Sequence, residues 1–370
     1  MGLIKTVETK GKGLLTKIVT SVIKTPQMTR GEIMAVPPRR ILVIRQHNQM
    51  GDMLLAVPAL RAIKESLPGA TLTVLTAPIN RDVMINNPYV DTVVTYNSRR
   101  PLGLIPLVRH MRRAKYEMVI VLHTVSFSFS SAVLGLLSGS RLRVGSTSAP
   151  FGNSLSESFF HLSLPLPSED ELAHMNEAEH NLYPLAALGV YTSDIAPVLV
   201  PTEAEDKWAT DFVSEHSTLG AVKLLVHPGA GKVQNIWPAA RFAETVNLLA
   251  KRVPLSVVVV EGPRDAETVA EFSRRALAEQ TVLRGRSIGD VAAVMRRCDL
   301  VLCNDTGVMH VASAAGARTL AIFGPTDPSR WAPRCPNLHI LRAKNGKLVD
   351  LTAAEVVEEV LYVLEEVRSG

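Results

Sequence analysis

Cysteine and aromatic residues are both scarce in this sequence of 370 residues. The three cysteines, Cys298, Cys303 and Cys335, form no C-x-x-C pair. This argues against a zinc site or a disulfide framework and is typical of proteins of a reducing cytosol. Aromatic residues make up 5% of the chain, so a nucleic-acid-binding surface built from stacking side chains is not expected. We predict no bound metal, no nucleic-acid partner and a cytoplasmic protein.

Long apolar segments are also missing. No apolar run is long enough to cross a bilayer. Lysines at positions 10, 12, 17 and 24 interrupt the N-terminal segment, where a secretory signal would need an apolar core. We therefore expect neither a transmembrane helix nor a cleaved signal.

Basic residues are concentrated at the start of the chain. Residues 1–40 contain eight Lys and Arg against two Glu, so the rest of the chain is close to neutral. Within this stretch, residues 14–23 have apolar side chains at helical spacing with lysines at the edges. The pattern indicates an amphipathic helix, either on the inner face of the cytoplasmic membrane or docked on the first domain.

From residue 41 onward, short β-rich runs alternate with helical stretches, which predicts parallel sheets covered on both faces. A Ser- and Pro-rich stretch at 146–170 is predicted to be a long surface loop, and the alternation restarts near residue 223. We predict two doubly wound, Rossmann-like domains, with ligands bound in the cleft between them. The predicted boundaries are a basic extension at 1–38, domains at 39–200 and 201–345, and a C-terminal helix at 346–370.

The most informative motif joins a predicted strand to a predicted helix at residues 304–310. Unpaired backbone amides of Thr306, Gly307 and Val308 at the helix start suit a phosphate group. His310 lies one turn further on and is a candidate donor to a diphosphate oxygen. Asp305 is a candidate for binding sugar hydroxyls, although an ordinary helix cap is an equally good interpretation of this residue.

Two further loops follow predicted strands and border the same cleft. In the segment 323–328, Thr326 and Asp327 are candidate donor-site residues, with a simple β-turn and Asx cap as the alternative. The glycine-rich loop 227–232 does not match a P-loop, but its Lys232 is a candidate for binding a diphosphate.

The first strand of the chain leads to Gly51 and Asp52 at the start of a helix predicted over residues 53–66. A carboxylate at this position is a candidate general base. Its alternative interpretation is again an N-cap.

These motifs, taken in order, resemble glycosyltransferase family 9, the heptosyltransferases. The resemblance covers about residues 39–345 and rests on four segments, namely Gly51-Asp52 with Pro58-Ala59-Leu60, His227-Pro228-Gly229 with Trp237-Pro238, Asn304-Asp305-Thr306-Gly307 with His310, and Phe323-Gly324-Pro325-Thr326-Asp327-Pro328. It implies a GT-B fold, inverting transfer without a metal or other cofactor, a nucleotide-activated sugar such as ADP-heptose in the C-terminal domain, and a lipid-linked acceptor in the N-terminal domain. Asp52 matches the position of the catalytic base, Asp305 that of the sugar ligand, and Thr306, Gly307 and His310 those of the diphosphate contacts.

The sequence departs from the family pattern at two positions. Asn235 stands where the family usually has Lys or Arg, and Lys232 is the candidate substitute. Arg264 stands where acidic residues usually face the ribose, which leaves Asp265 as the nearest carboxylate. Both departures lie in the expected donor site, so the alternatives for the donor are ADP-heptose and a different sugar nucleotide.

A basic segment between Asp91 and Glu117 contains no acidic residue. Its arginines are candidates for binding an anionic, lipid-linked saccharide of the lipopolysaccharide core, with a solvated helix face as the alternative: Arg99, Arg100, Arg109, Arg112 and Arg113. Two rival functions remain open, a sugar-nucleotide 2-epimerase of the same layout and a non-catalytic relative that binds a sugar nucleotide or lipid.

Overall fold

The structure is a computed structural model that describes residue 23 and residues 25–46, 49–122, 128–146 and 154–369. The predicted amphipathic segment at 14–23 lies outside these residues except for its last position. The chain divides into two compact units. The first contains the described residues within 1–48, 56–81 and 88–194, and the second contains those within 49–55, 82–87 and 195–370. The second unit thus includes two short segments from within the predicted 39–200 domain, one of which carries Asp52.

The first unit is built on a six-stranded parallel sheet in the order β3-β2-β1-β4-β5-β6. Its strands are β1 (Arg40–Arg45), β2 (Thr71–Thr76), β3 (Thr92–Thr95), β4 (Met118–Val121), β5 (Leu142–Ser146) and β6 (Leu162–Leu164). Five of the six residues of β1 are buried, as expected for a central strand covered on both faces. One hydrophobic cluster of this unit joins β1 and β4 to Phe159 and Phe160.

The helices that the two units contribute up to residue 194 are α1 (Arg30–Met34), α2 (Met50–Leu54), α3 (Val57–Ser66), α4 (Arg81–Met84), α5 (Leu104–Ala114), α6 (Phe129–Leu137), α7 (Glu169–Ala173) and α8 (Glu177–Ala186). The helix predicted over 53–66 is in fact two helices, α2 and α3, separated by Leu55 and Ala56.

The expectation of one long surface loop over residues 146–170 is wrong. The segment contains a 3-10 helix, Ser154–Phe159, and the edge strand β6, which pairs in parallel with β5. Phe159 and Phe160 are completely buried, so these two aromatic side chains attach the segment to the core of the unit. The Ser- and Pro-rich composition of the segment gave no indication of this.

The second unit repeats the same architecture. Its sheet has the order β12-β11-β10-β7-β8-β9, a doubly wound arrangement like that of the first sheet. The strands are β7 (Val222–His227), β8 (Leu255–Glu261), β9 (Gln280–Arg284), β10 (Leu300–Asn304), β11 (Thr319–Phe323) and β12 (Leu338–Arg342). Read from the other edge, this order is β9-β8-β7-β10-β11-β12, so it matches β3-β2-β1-β4-β5-β6 strand for strand. The prediction of two doubly wound units is confirmed.

The helices after residue 194 are α9 (Glu203–His216), α10 (Ala239–Leu249), α11 (Ala266–Arg275), α12 (Ile288–Met295), α13 (Gly307–Ala314), α14 (Pro328–Trp331) and α15 (Ala353–Ser369). Helix α9 begins with a capping box, in which Thr202 and Glu205 satisfy each other's backbone N–H groups. The core of this unit is formed by a cluster that includes Trp237, Phe242 and Phe272, all completely buried. Among the helices that the structure describes, none is both long and apolar enough to span a bilayer.

Candidate active site

Asn304, at the carboxyl end of β10, fixes the neighbouring loop in place. Its side chain is completely buried. Oδ1 accepts a hydrogen bond from the backbone N–H of Trp237 at 3.0 Å, while Nδ2 donates to the carbonyl oxygens of Pro228 at 2.9 Å and Gly229 at 3.2 Å. The glycine-rich loop after β7 and the Trp-Pro segment are therefore held against the end of β10. The sequence motif gave Asn304 no role of its own, although an amide at the end of an apolar strand is a usable signal.

Asp305 does not cap the following helix. The N-cap of α13 is Thr306, and the Asp305 carboxylate instead accepts a hydrogen bond from Nδ2 of Asn235 at 2.7 Å. Burial raises the pKa of Asp305, while the hydroxyl of Thr326 and the charge of Lys232 oppose that shift. The carboxylate is thus held at the meeting point of three loops, and the cap interpretation of this residue is wrong.

Residues from the other two predicted loops converge on the same carboxylate. The Thr326 hydroxyl donates to Oδ1 of Asn235 at 3.3 Å, and Lys232 is exposed immediately before the short 3-10 helix that carries Asn235. Asp327 differs from them, since it is exposed and caps α14 by accepting the backbone N–H of Ser329 at 3.0 Å. The structure therefore brings Lys232 and Thr326 towards Asp305, while the Asp327 carboxylate is engaged locally as an Asx cap.

The start of α13 is open to close approach. Thr306 makes no side-chain cap hydrogen bond, and the first backbone N–H groups of a helix have no partner within it. Among the residues that the structure describes, a β-carbon added to Gly307 would come within 4 Å of Met50 alone, at 3.8 Å. Gly307 and Val308 are each partly exposed, so this helix start combines accessible amides with the positive end of the helix dipole.

Helix α2 packs against α13 through Gly51 and His310. His310 is buried, and its Nδ1 has no hydrogen-bond partner among the residues that the structure describes. Burial lowers the pKa of His310 to about 4, although the negative charge of Asp52 opposes the shift. The imidazole is therefore neutral at pH 7 and lies within electrostatic reach of the Asp52 carboxylate.

Asp52 occupies the third residue of α2 and is half-buried. The N-cap of this helix is Gln49, so the alternative interpretation of Asp52 as an N-cap is wrong. Asp52, His310 and Asp305 all belong to the second unit. Their arrangement puts a carboxylate, a neutral imidazole and a helix N-terminus on neighbouring elements.

A second histidine–carboxylate pair lies at the carboxyl ends of β7 and β8. His227 is buried, its Nδ1 lies 3.1 Å from the Val260 carbonyl oxygen, and its Nε2 lies 3.7 Å from Oδ2 of Asp265. Burial lowers the pKa of His227, although Asp265 and the Val260 carbonyl oppose this. Asp265 also accepts a hydrogen bond from the Gly262 N–H at 3.2 Å. Its carboxylate therefore joins the loop after β8 to His227 at the end of β7.

The predicted acceptor arginines lie in the first unit. Arg99 and Arg100 precede α5, whereas Arg109, Arg112 and Arg113 are on it, and all five are exposed. Arg112 also donates through Nε to the Leu137 carbonyl oxygen at 3.3 Å. Across the described stretches of the chain, no group of three or more His, Cys, Asp or Glu residues has the arrangement of a metal site.

The sequence profile of glycosyltransferase family 9 (heptosyltransferase) matches residues 105–361 of this chain. Lipopolysaccharide heptosyltransferase 3 of Escherichia coli is 24% identical over 301 residues, which are 78% of this chain and 83% of that protein. Lipopolysaccharide heptosyltransferase 2 of Escherichia coli is 24% identical over 361 residues, which are 88% of this chain and 98% of that protein.

Solved structures show the same fold. The glycosyl transferase family 9 structure from Veillonella parvula has a TM-score of 0.78 at 22% identity and covers 89% of this chain and 97% of its own. The Escherichia coli ADP-heptose heptosyltransferase II structure has a TM-score of 0.73 at 21% identity, with coverages of 89% and 99%. The predicted GT-B fold class is confirmed by this similarity.

Proposed function

The chain belongs to glycosyltransferase family 9, the heptosyltransferases, and we propose that it moves a heptose from ADP-heptose to an anionic saccharide of the lipopolysaccharide core. We further propose that the transfer inverts the anomeric centre and needs no metal. The relatives whose names describe lipopolysaccharide heptosyltransferases support the substrate class.

The observation that carries the mechanism is the packing of α2 on α13, which places Asp52 close enough to His310 to influence its pKa. In an inverting transfer, the acceptor hydroxyl attacks the anomeric carbon on the face opposite the departing diphosphate. A free hydroxyl is a weak nucleophile, so a carboxylate must accept its proton as the new bond forms. Asp52 is the carboxylate that we assign to this role.

The leaving diphosphate needs charge stabilisation in place of a proton. The amides at the start of α13, at Thr306, Gly307 and Val308, supply hydrogen-bond donors and the helix dipole. His310 is neutral at pH 7 and still donates one N–H. Lys232, which is exposed and acts electrostatically on Asp305, adds a positive charge from the neighbouring loop.

Asp305 and Thr326 are placed to bind the sugar of the donor. The buried Asp305 carboxyl group has oxygens that can accept hydrogen bonds from sugar hydroxyl groups, and its orientation is already fixed by Asn235. We propose that Asp327 contributes to the donor site through its backbone alone, because its carboxylate caps α14. Residues 201–345 are thus proposed as the donor domain, with the C-terminal helix α15 packed on its helix α10.

Residues 39–200 are proposed as the acceptor domain, in which the exposed arginines Arg99, Arg100, Arg109, Arg112 and Arg113 meet the anionic groups of the acceptor. Such an acceptor is lipid-linked, so we propose that the protein works at the inner face of the cytoplasmic membrane. The basic extension at 1–38 is one candidate for holding it there.

The test is to incubate the full chain with a panel of nucleotide sugars, with and without defined core acceptors, and to follow products by mass spectrometry. We expect a heptose mass added to the acceptor, nucleotide release that depends on acceptor, activity that persists in EDTA, and inverted anomeric configuration by NMR. Nucleotide release without any acceptor would instead support the 2-epimerase function. Donor binding without turnover would support a non-catalytic relative.

A further inference from the structure

Two aliphatic side chains project from the first unit next to its basic segment. Leu102 is 87% exposed and lies in the short 3-10 helix Pro101–Gly103 just before α5, and Ile105 is 60% exposed in the first turn of α5. The opposite face of α5 is buried, with Leu107 and Met111 packed into the hydrophobic cluster of this unit. The helix is thus anchored by one face, while Ile105 on its exposed side and Leu102 just before it are aliphatic groups whose exposure to water is unfavourable.

The exposed face of α5 is also strongly cationic. Ile105, Arg109 and Arg113 follow one another at four-residue spacing and therefore share one side of the helix. Arg99 and Arg100 lie just before it and are exposed. Within the described part of the chain, none of these four arginines has an ion pair. No acidic residue occurs between Asp91 and Glu117 to neutralise them.

We propose that this face, formed by Leu102, Ile105 and the arginines Arg99, Arg100, Arg109 and Arg113, is a docking surface for an anionic lipid bilayer. Leu102 and Ile105 insert into the boundary between headgroups and acyl chains. The arginines, which the proposed function assigns to the anionic groups of the lipid-linked acceptor, bind lipid phosphates of the same bilayer when no acceptor occupies them. We call Leu102 and Ile105 the aliphatic tip. An aliphatic tip with cations around it is typical of elements that bind the interface of a membrane.

The aliphatic tip distinguishes a bilayer from a soluble anionic saccharide. Arginines alone would suit either ligand, since both present phosphate or carboxylate groups. Exposed Leu and Ile side chains gain free energy only when they leave water, which acyl chains allow and a hydrated sugar does not. The proposal concerns binding, so the two vesicle experiments below do not require the transfer reaction proposed above; only the comparison with a soluble acceptor rests on it.

The test is sedimentation of the full chain with vesicles of phosphatidylethanolamine and phosphatidylglycerol, compared with vesicles of phosphatidylcholine. The Leu102→Asn/Ile105→Asn double variant should bind anionic vesicles on the order of tenfold more weakly at both low and high salt, because it removes acyl-chain contacts. The matched control is Leu219→Asn/Leu277→Asn, which alters two aliphatic side chains that are exposed to a similar or greater extent in the second unit. It should bind as the parent does.

The charge component is tested with Arg109→Gln/Arg113→Gln, which should weaken binding roughly 30-fold at low salt and reduce the salt dependence, since each basic residue near an anionic surface contributes about fivefold. The control with the same net charge is Lys207→Gln/Lys251→Gln, at two exposed positions of the second unit. Equal losses in both pairs would mean that only net charge matters and would overturn the proposed surface.

A further arm separates the bilayer from the acceptor saccharide. With an acceptor that lacks acyl chains, Leu102→Asn/Ile105→Asn should turn over at the parental rate, because no membrane is involved. Unchanged vesicle binding by this variant would overturn the proposal, as would a loss of turnover on the soluble acceptor, which would assign the tip to saccharide binding.

Discussion

Gly51 and His310 are in such close contact that no side chain fits between them. A β-carbon built on Gly51 would lie 2.6 Å from Cδ2 of His310 and 3.0 Å from its Nε2. These distances are well inside van der Waals contact, and His310 is buried, so it cannot easily move away. The absence of a side chain at position 51 is what allows α2, with Asp52, to pack directly on α13.

We therefore expect Gly51→Ala to destabilise the protein by about 1–3 kcal/mol, the usual cost of overpacking. Urea denaturation followed by circular dichroism measures this. The control is Gly69→Ala, where an added β-carbon would meet no atom of the described part of the chain within 4 Å. If both variants were equally stable, the contact between α2 and α13 would be looser than the structure indicates.

The hydrogen bond between Asn235 and Asp305 gives a second prediction. Asn235→Ala removes the amide that donates to the buried carboxylate, so the pKa of Asp305 should rise further and the protein should lose about 1–3 kcal/mol of stability. Gln234→Ala, at the exposed neighbouring position, should have little effect. Identical denaturation midpoints for the two variants would show that Asn235 does not support Asp305.

Much of this site could be predicted from the sequence because its residues follow strands. The carboxyl ends of parallel strands meet at one edge of the sheet, so the loops after β7, β10 and β11 were expected to converge. Whether Asp305 and Asp52 are caps could not be decided, because this depends on which single residue takes the first helical dihedral angles. In the structure, the N-cap is Thr306 where Asp305 was the candidate, and Gln49 where Asp52 was the candidate.

The hydrogen bonds that hold the loops of the site together could not be predicted from the sequence. Asn235 and Asp305 are separated by 70 positions, and Asn304 bonds a loop 75 and 76 positions away. No local periodicity encodes such pairs, because they arise from the order in which the strands are laid side by side. The departure of Asn235 from the family pattern marked the position, but only the structure shows its partner.

Burial of His310 predicts a specific dependence of stability on pH. Its pKa is about 4 in the folded protein and about 6.5 in the unfolded chain. Between these values the unfolded state binds a proton that the folded state does not, so the free energy of unfolding should fall as the pH decreases from 6.5 towards 4. At pH 5 the loss from this residue should be about 2 kcal/mol relative to neutral pH.

Denaturation at pH 5 and pH 7.5 tests this with His310→Gln, in which the difference between the two pH values should shrink by about that amount. His227, whose pKa is also lowered by burial, contributes with the same sign and remains in the variant. The control is His174→Gln, an exposed histidine. An unchanged pH dependence in His310→Gln would mean that the imidazole is hydrated in the folded state.

The sharpest prediction concerns Asp52. As the proposed general base, it accepts the proton of the acceptor hydroxyl, and an amide cannot do so. Asp52→Asn should therefore keep the fold and the donor affinity but lower the rate by about 10²–10⁴-fold, the usual contribution of a general base. Calorimetric titration with donor and steady-state kinetics separate the two effects, and Asp211→Asn, on the exposed face of α9, is the control for loss of a carboxylate.

A second measurement on the same variant reports on charge alone. Asp52 raises the pKa of His310 against the effect of burial, so its neutralisation should lower that pKa further, which an NMR titration of the imidazole detects. If the pKa of His310 falls while turnover stays within a few-fold of the parent, Asp52 acts only on the electrostatics of the site, and the base has to be another group. If the pKa of His310 and the turnover rate both fall, Asp52 is a carboxylate that lies near His310 and also accepts the proton of the acceptor hydroxyl.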